Sequence, residues 1–481
     1  MRRTTRYALL PASWGAAGPG ASALLAIPSL VAFGIAALPS LVLGDEPAAT
    51  PKDLFIRAEQ LHVRPGRVLE RGMLWVHEGQ IVAVGTDIKL PEGAVVIEGK
   101  VVCAGFIDSW SAFALEPNAQ FDDRAGPATR AVDAVDSYVD VRHERALLAA
   151  GITSVRLQPT VGARAGGVGA VLRLHPSKSF AETTVIADAC SATAIGVSRG
   201  DGRALDVFER VSAVDRVIGA IADGHAYLVE TNEYRHELAD WEKKIADKQK
   251  ELDDGFKKAK KDREKAQTEA KDKGNEFKDK EYKEDKKPKA PRFDEEKEIY
   301  ARIAAGELPL VVEVHRALEL RALLAGTKRF DRLRLVVAGA SEAAQCAELL
   351  AERRIPVIVW PVPMGVQRAP EYRGASLALA AELDHAGIEV LLGSGAMDPL
   401  ASRDLPLLAA LAVGHGLPRE TALAALTTRP ARVFDVADKL GTLELGRSAD
   451  VLVLDGDPFA ATTSVRYVLS AGELVVGEVK K

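Results

Sequence analysis

The stretch that most constrains this chain is Val101-Val102-Cys103-Ala104-Gly105-Phe106-Ile107-Asp108-Ser109-Trp110-Ser111-Ala112. An apolar run ends at a glycine, a second short apolar run follows, and an aspartate closes it. That pattern predicts a strand entering a domain core, with Asp108 at its carboxyl end, where βα folds place their chemistry. Trp110 and Ala112 come next, and neither side chain can bind a metal.

The 481 residues, 47% of them apolar, are enough for a large core and a smaller second unit. Short strand patterns separated by Pro-Gly and Glu-Gly turns fill residues 52–103, and a matching set fills 449–476. The simplest architecture joins 52–103 and 433–481 into one small β-sandwich, with 104–432 inserted as the main domain. Inside that insert, strand patterns at 151–157, 308–315, 335–338, 356–359 and 387–392 alternate with helical ones such as 342–353 and 376–385. Such alternation predicts a parallel α/β domain. The Gly-rich segment 160–171 lacks the Lys and Ser/Thr of a phosphate-binding loop and is expected to be a tight loop at the domain's mouth.

From 241 to 289 the composition turns to Lys, Glu and Asp, with Ile245, Leu252, Phe256, Ala259, Ala266, Ala270 and Phe277 at coiled-coil-like spacing. This predicts a charged helical insertion with a narrow apolar seam, and a partly disordered insertion is the alternative because Gly255 and Gly274 interrupt it. Residues 286–291 then form a linker.

The formal charge of −5 indicates neither a nucleic-acid partner nor an anionic membrane surface. The basic start Met1-Arg2-Arg3, the apolar tract that follows and the small residue before Asp45 predict an export signal over 1–44. An uncleaved N-terminal membrane anchor is the alternative. Cys103, Cys190 and Cys346 are odd in number and sit in or beside apolar runs, so buried free thiols are expected.

Several of these segments resemble the amidohydrolase superfamily, and the Gly-Gly loop resembles its imidazolonepropionase-like secreted members. The carriers are Gly105-Phe106-Ile107-Asp108, the segment 427–432 that looks like the family's closing helix, and Gly441 to Val453, close to its return to the sandwich. The resemblance implies a (β/α)8 TIM-type barrel and metal-dependent hydrolysis of C–N bonds with zinc or another divalent ion. It also implies a set of ligands, and most are missing. Trp110 and Ala112 stand where the first strand carries two His. No Lys occurs between Lys178 and Lys243, where a bridging Lys belongs, and Gly339 and Gly395 replace a His and the Asp that would act as base towards metal-bound water. His315 is the one ligand position kept, and Asp398 is a candidate to reach inward. The other His residues, at 62, 77, 143, 175, 225, 236, 385 and 415, are expected at the surface or at helix ends.

The sequence therefore predicts an exported, periplasmic or envelope protein with an amidohydrolase-like barrel, no expected cofactor and a binding or structural role. Its partner would be a small molecule, an envelope protein or a second copy, and Trp110 would stack a ligand in the space a metal would fill. The alternative is a hydrolase of C–N bonds working from a rearranged site with Asp108 and His315.

Overall fold

The computed structural model describes residues 52–115, 126–158, 167–196, 206–273, 286–360, 374–396 and 398–478, with no side chains over 251–273. The export signal, the Gly-rich residues 160–166 and Phe277 lie outside those residues, and of the predicted apolar seam only Ile245 falls where side chains are described. Among the described residues no helix is long and apolar enough to cross a membrane.

The two ends of the described chain meet in one mixed sheet. It contains β1 (Asp53–Arg64), β2 (Arg67–Glu70), β3 (Met73–His77), β4 (Gln80–Gly85) and β5 (Val96–Ala104). The late strands β14 (Val451–Leu454), β15 (Val465–Ser470) and β16 (Glu473–Val476) complete it. The order is β16-β15-β14-β5-β1-β3-β4, with β2 paired on β1. The expected two-layered sandwich is thus a single continuous sheet, because β5 bonds on both sides, parallel to β1 and antiparallel to β14. Leu54, Ile56, Leu74, Ile81, Val102 and Val451 form its buried face. The Glu78-Gly79 turn joins β3 and β4 with both residues at positive φ, 46° and 83°, as a two-residue hairpin of matching twist requires.

Only Gly105 separates this sheet from the second one. A Cβ there would sit 2.0 Å from Thr153 Oγ1, so no side chain fits. The second sheet runs through β6 (Phe106–Ser111), β7 (Ile152–Leu157), β8 (Val168–Arg173), β9 (Thr184–Ile195), β10 (Leu310–Val314), β11 (Leu335–Gly339), β12 (Val357–Val359) and β13 (Val390–Leu392), neighbours in that order. The ring is nearly closed, with β13 brought back beside β6.

It is not the all-parallel barrel expected. β8 runs antiparallel to both β7 and β9. Only about ten residues lie on either side of β8, room for a reversal but short for a helical crossover between parallel neighbours. Part of the expected Gly-rich loop, Val168 to Val171, is β8 itself. The remaining pairs are parallel, and one face of the ring packs Val155, Val312, Val337 and Val390 against helices that include Val141–Ala149, Glu295–Ala304 and Ala317–Thr327. The opposite face carries Ile107, Val171, Ala192, Val311, Val336, Ala338, Ile358 and Leu391.

The charged insertion is the far part of one helix, Val207–Lys273. Its start belongs to the barrel layer, where Ala213, Val214, Val217 and Ile221 are buried. The chain returns past it, with Lys287 Nζ 5.9 Å from the Trp241 ring. Asp294 then caps the helix Glu295–Ala304 by accepting from Lys297 N.

Candidate functional site

The closing seam of the barrel is built around Asp108. Its Oδ1 accepts from the Trp110 N–H at 2.9 Å and the Ser394 N–H at 3.0 Å. Its Oδ2 accepts from the Ser402 hydroxyl at 2.6 Å. The Ser394 hydroxyl donates to the Trp110 carbonyl at 2.9 Å, so the segment after β13 is stitched to β6 by side chains. Ser402 Oγ also lies 2.7 Å from Ser111 Oγ, which accepts from Phe113 N. Asp108 is fully buried, and each oxygen is engaged in holding the ring shut.

Beside the seam lies a stack of large flat side chains. The Trp110 and Trp360 rings are 5.4 Å apart, and Trp360 meets His315 edge-on at 5.9 Å. On its other side Trp110 is covered by the guanidinium of Arg156, 4.7 Å from the ring centroid. Arg156 in turn lies 5.2 Å from Phe434. Stacking on π faces recovers part of the cost of burying that cation, on the order of 2 kcal/mol when desolvated. Arg156 Nε donates to the Ser109 carbonyl at 2.7 Å, and Nη1 reaches Gln158 and Cys190 Sγ, while Nη2 has no partner among the described residues. Trp110 is 1% exposed and Trp360 6%. With Trp360 and Arg156 against it, Trp110 offers no open face for a ligand, contrary to the stacking role expected for it.

The residues at the remaining ligand positions fit this filling. Gly339 has φ +75°, and a Cβ there would fall 2.4 Å from His315 Cε1 and 2.8 Å from Trp360 Cζ2. Gly395 has φ +84°, and its Cβ would lie 3.1 Å from Trp360 Cγ. His315 and Trp360 together therefore occupy the space into which a side chain at 339 would project, and Trp360 the space beside 395. Ala112 is buried and offers only a methyl. Asp398, expected as an inward candidate, is exposed and caps its own turn by accepting from Leu400 N at 2.7 Å.

His315 stands just beyond β10 and is 2% exposed. Its Nδ1 is 2.8 Å from Ser341 Oγ and its Nε2 is 3.4 Å from Glu313 Oε1. Among the described residues no group of three or more His, Cys, Asp or Glu side chains converges. The donors do not fit a divalent metal: one imidazole and one carboxylate stand under an indole, whereas such ions need several ligands at once.

Sequence reasoning missed Trp360, Arg156, Glu313 and Ser341. Glu313 was readable, since two residues from His315 on a strand is the same face. A lone Arg156 within the apolar strand Ile152–Leu157 was a second signal. Nothing local marked Ser341 or Trp360, which reach the site by the folding of the strands next door.

The eight other His residues divide. Six are exposed or nearly so, but His175 is buried at the junction of the two sheets, its Nε2 3.1 Å from Glu473 Oε2. Burial, with Lys178 adding to it, lowers the His175 pKa against the opposing pull of Glu473. His62 is half-buried and shifted the same way, chiefly by desolvation. All three cysteines are buried and free, and burial pushes the Cys103 thiol up to about 12.

A family profile described as "Amidohydrolase family" matches residues 311–476, from β10 to β16. An amidohydrolase from Thermotoga maritima MSB8 superposes with a TM-score of 0.65 at 21% identity, covering 88% of this chain and 100% of the other. The profile match lies in the C-terminal part of the chain, and the superposition shows that the chain shares the fold of that amidohydrolase. An A. niger ochratoxinase (TM-score 0.50, 16% identity, 89% and 96% coverage) shares the fold. So does a prolidase complexed with N-methylphosphonate-L-proline (0.50, 16%, 89% and 100%). No curated protein matches the sequence.

Proposed function

We propose that this chain is an exported superfamily member of the cell envelope that has abandoned metal-dependent hydrolysis and binds its ligand without a metal. The ligand is a small molecule or a segment of an envelope protein. The observation that carries the reading is Trp360: it lies in the space that side chains at 339 and 395 would need, and it packs on Trp110 and His315. A barrel centre filled by packed rings keeps the fold's stability while removing the low-pKa water on which the family reaction depends. The imidazolonepropionase-like subtype is supported only by the resemblance of the Gly-Gly loop.

Titrating the purified mature protein with Zn²⁺ in a calorimeter tests this reading. Heat limited to weak, non-stoichiometric binding is expected, and one tight site per chain overturns it. One observation favours retained, metal-free chemistry over a purely structural role, namely the hydrogen-bonded series Ser341–His315–Glu313.

A further inference from the structure

We propose that Ser341 is a nucleophile, activated by His315 and oriented through Glu313, for metal-free acyl transfer from small esters or activated amides. The proposal rests on the reading of a metal-free site. Three observations carry it.

The first is connectivity. A hydroxyl, an imidazole and a carboxylate are joined in series, 2.8 Å and then 3.4 Å apart, each on a different ring nitrogen. This is the arrangement nucleophilic catalysis needs: a base within reach of the hydroxyl and a third group fixing the base. The looser second distance is of the kind seen in the absence of substrate. A hydroxyl that only satisfied His315 would not require a carboxylate on the opposite nitrogen. Glu313 is 2% exposed on the same barrel face as Val311, a costly place for a carboxyl group.

The second is position. His315 and Ser341 follow the carboxyl ends of β10 and β11, the end of a barrel at which βα enzymes hold their reacting groups.

The third is the backbone that presents the hydroxyl. Gly339 and Ala340 are successive residues at positive φ, 75° and 50°, immediately before Ser341. For alanine that conformation costs on the order of 1 kcal/mol, and such strain gathers where a side chain must be aimed. The turn is pinned on both sides to the strand bearing His315, by Ala340 N donating to Val314 O at 3.0 Å and Glu342 N donating to His315 O at 2.9 Å.

In the reaction, Ser341 Oγ bonds to the substrate's carbonyl carbon as its proton passes to His315 Nδ1. The C–O or C–N bond to the leaving group then breaks, and the leaving group takes that proton. Water, deprotonated by the same imidazole, releases the acid and restores the serine. Glu313 accepts from Nε2–H while the ring is charged, and touches no reacting atom.

The test uses p-nitrophenyl acetate with the mature protein in the presence of EDTA, read by nitrophenolate burst and by mass spectrometry of the peptide holding residue 341. The wild type should give a burst and an acetylated Ser341. Ser341→Ala should abolish both while still unfolding in one cooperative transition, at a lowered denaturation midpoint because the buried Nδ1 loses its hydroxyl partner. Ser341→Cys should keep the burst and place the acetyl group on the thiol. Glu313→Gln should slow acylation about 100-fold with the KM for the ester unchanged, a loss in rate alone that a packing role would not give. No adduct in the wild type, or an adduct that persists in Ser341→Ala, overturns the proposal and leaves the metal-free reading standing. A burst that EDTA abolishes and Zn²⁺ restores instead overturns the metal-free reading.

Discussion

Asp108 occupies a position that elsewhere in βα barrels speaks of chemistry, yet its carboxylate is spent on closing the ring. Removing it strands the N–H groups of Trp110 and Ser394 and the Ser402 hydroxyl in a buried seam. Each orphaned group costs about 1–3 kcal/mol, so Asp108→Ala should lose about 3 kcal/mol or more. Asp108→Asn keeps one oxygen for the two N–H groups, and Ser402 can turn its proton to Ser111, so the loss should be less than half as large. Urea denaturation followed by tryptophan fluorescence reads both, and equal losses would contradict the assignment. Gly395 supplies a second residue-level prediction. Restoring the family's acid as Gly395→Asp puts a Cβ against Trp360 at φ +84°, and should cost about 1 kcal/mol or more rather than create a ligand.

At the scale of elements, two of the three glycines of the long helix Val207–Lys273, Gly219 and Gly224, should respond with opposite sign. A methyl group added at Gly219 would meet nothing within 4 Å, so Gly219→Ala should stabilise by about 0.5–1 kcal/mol through helix propensity alone. At Gly224 a Cβ would lie 2.3 Å from Tyr300 Cβ, on the helix Glu295–Ala304 packed against it. Overpacking of about 1–3 kcal/mol outweighs the propensity gain there, and Gly224→Ala should destabilise. Denaturant midpoints of the two variants decide it. The junction of the two sheets should be acid-sensitive through His175. Its folded pKa lies below the ordinary 6.5, so the unfolded chain takes up this proton first. The stabilising contribution is present above about pH 6.5 and is lost as pH falls. His175→Gln should therefore show a smaller fall in melting temperature than wild type between pH 8 and pH 5, and parallel curves would refute it.

These elements also show what the sequence could reveal. Most strands of both sheets were legible because apolar runs and Gly turns are local, but β9, Thr184–Ile195, was not. The joining of the two chain ends was legible from the resemblance of 441–453 to a known return. The reversal of β8 was hidden, since Val168 to Val171 reads as a Gly-rich loop until its pairing with β7 and β9 is seen. The residues at the ligand positions the resemblance implies, Trp110, Ala112, Gly339 and Gly395, could be named one by one. What fills the ligands' place could not, because Trp360 comes from just past β12, Arg156 from β7 and Phe434 from beyond the barrel, and only the closed ring brings them together.

For the whole molecule, the central proposal is that the barrel is filled by aromatic rings and one guanidinium where the family resemblance would place a metal. The ring is closed by Asp108, filled by Trp110, Trp360 and Arg156, and continuous through Gly105 with the sheet made from both ends of the chain. Elemental analysis of the mature protein, purified without chelator, tests that claim most directly. The account predicts a folded protein with far less than one equivalent of any transition metal. One tightly held equivalent per chain would contradict it.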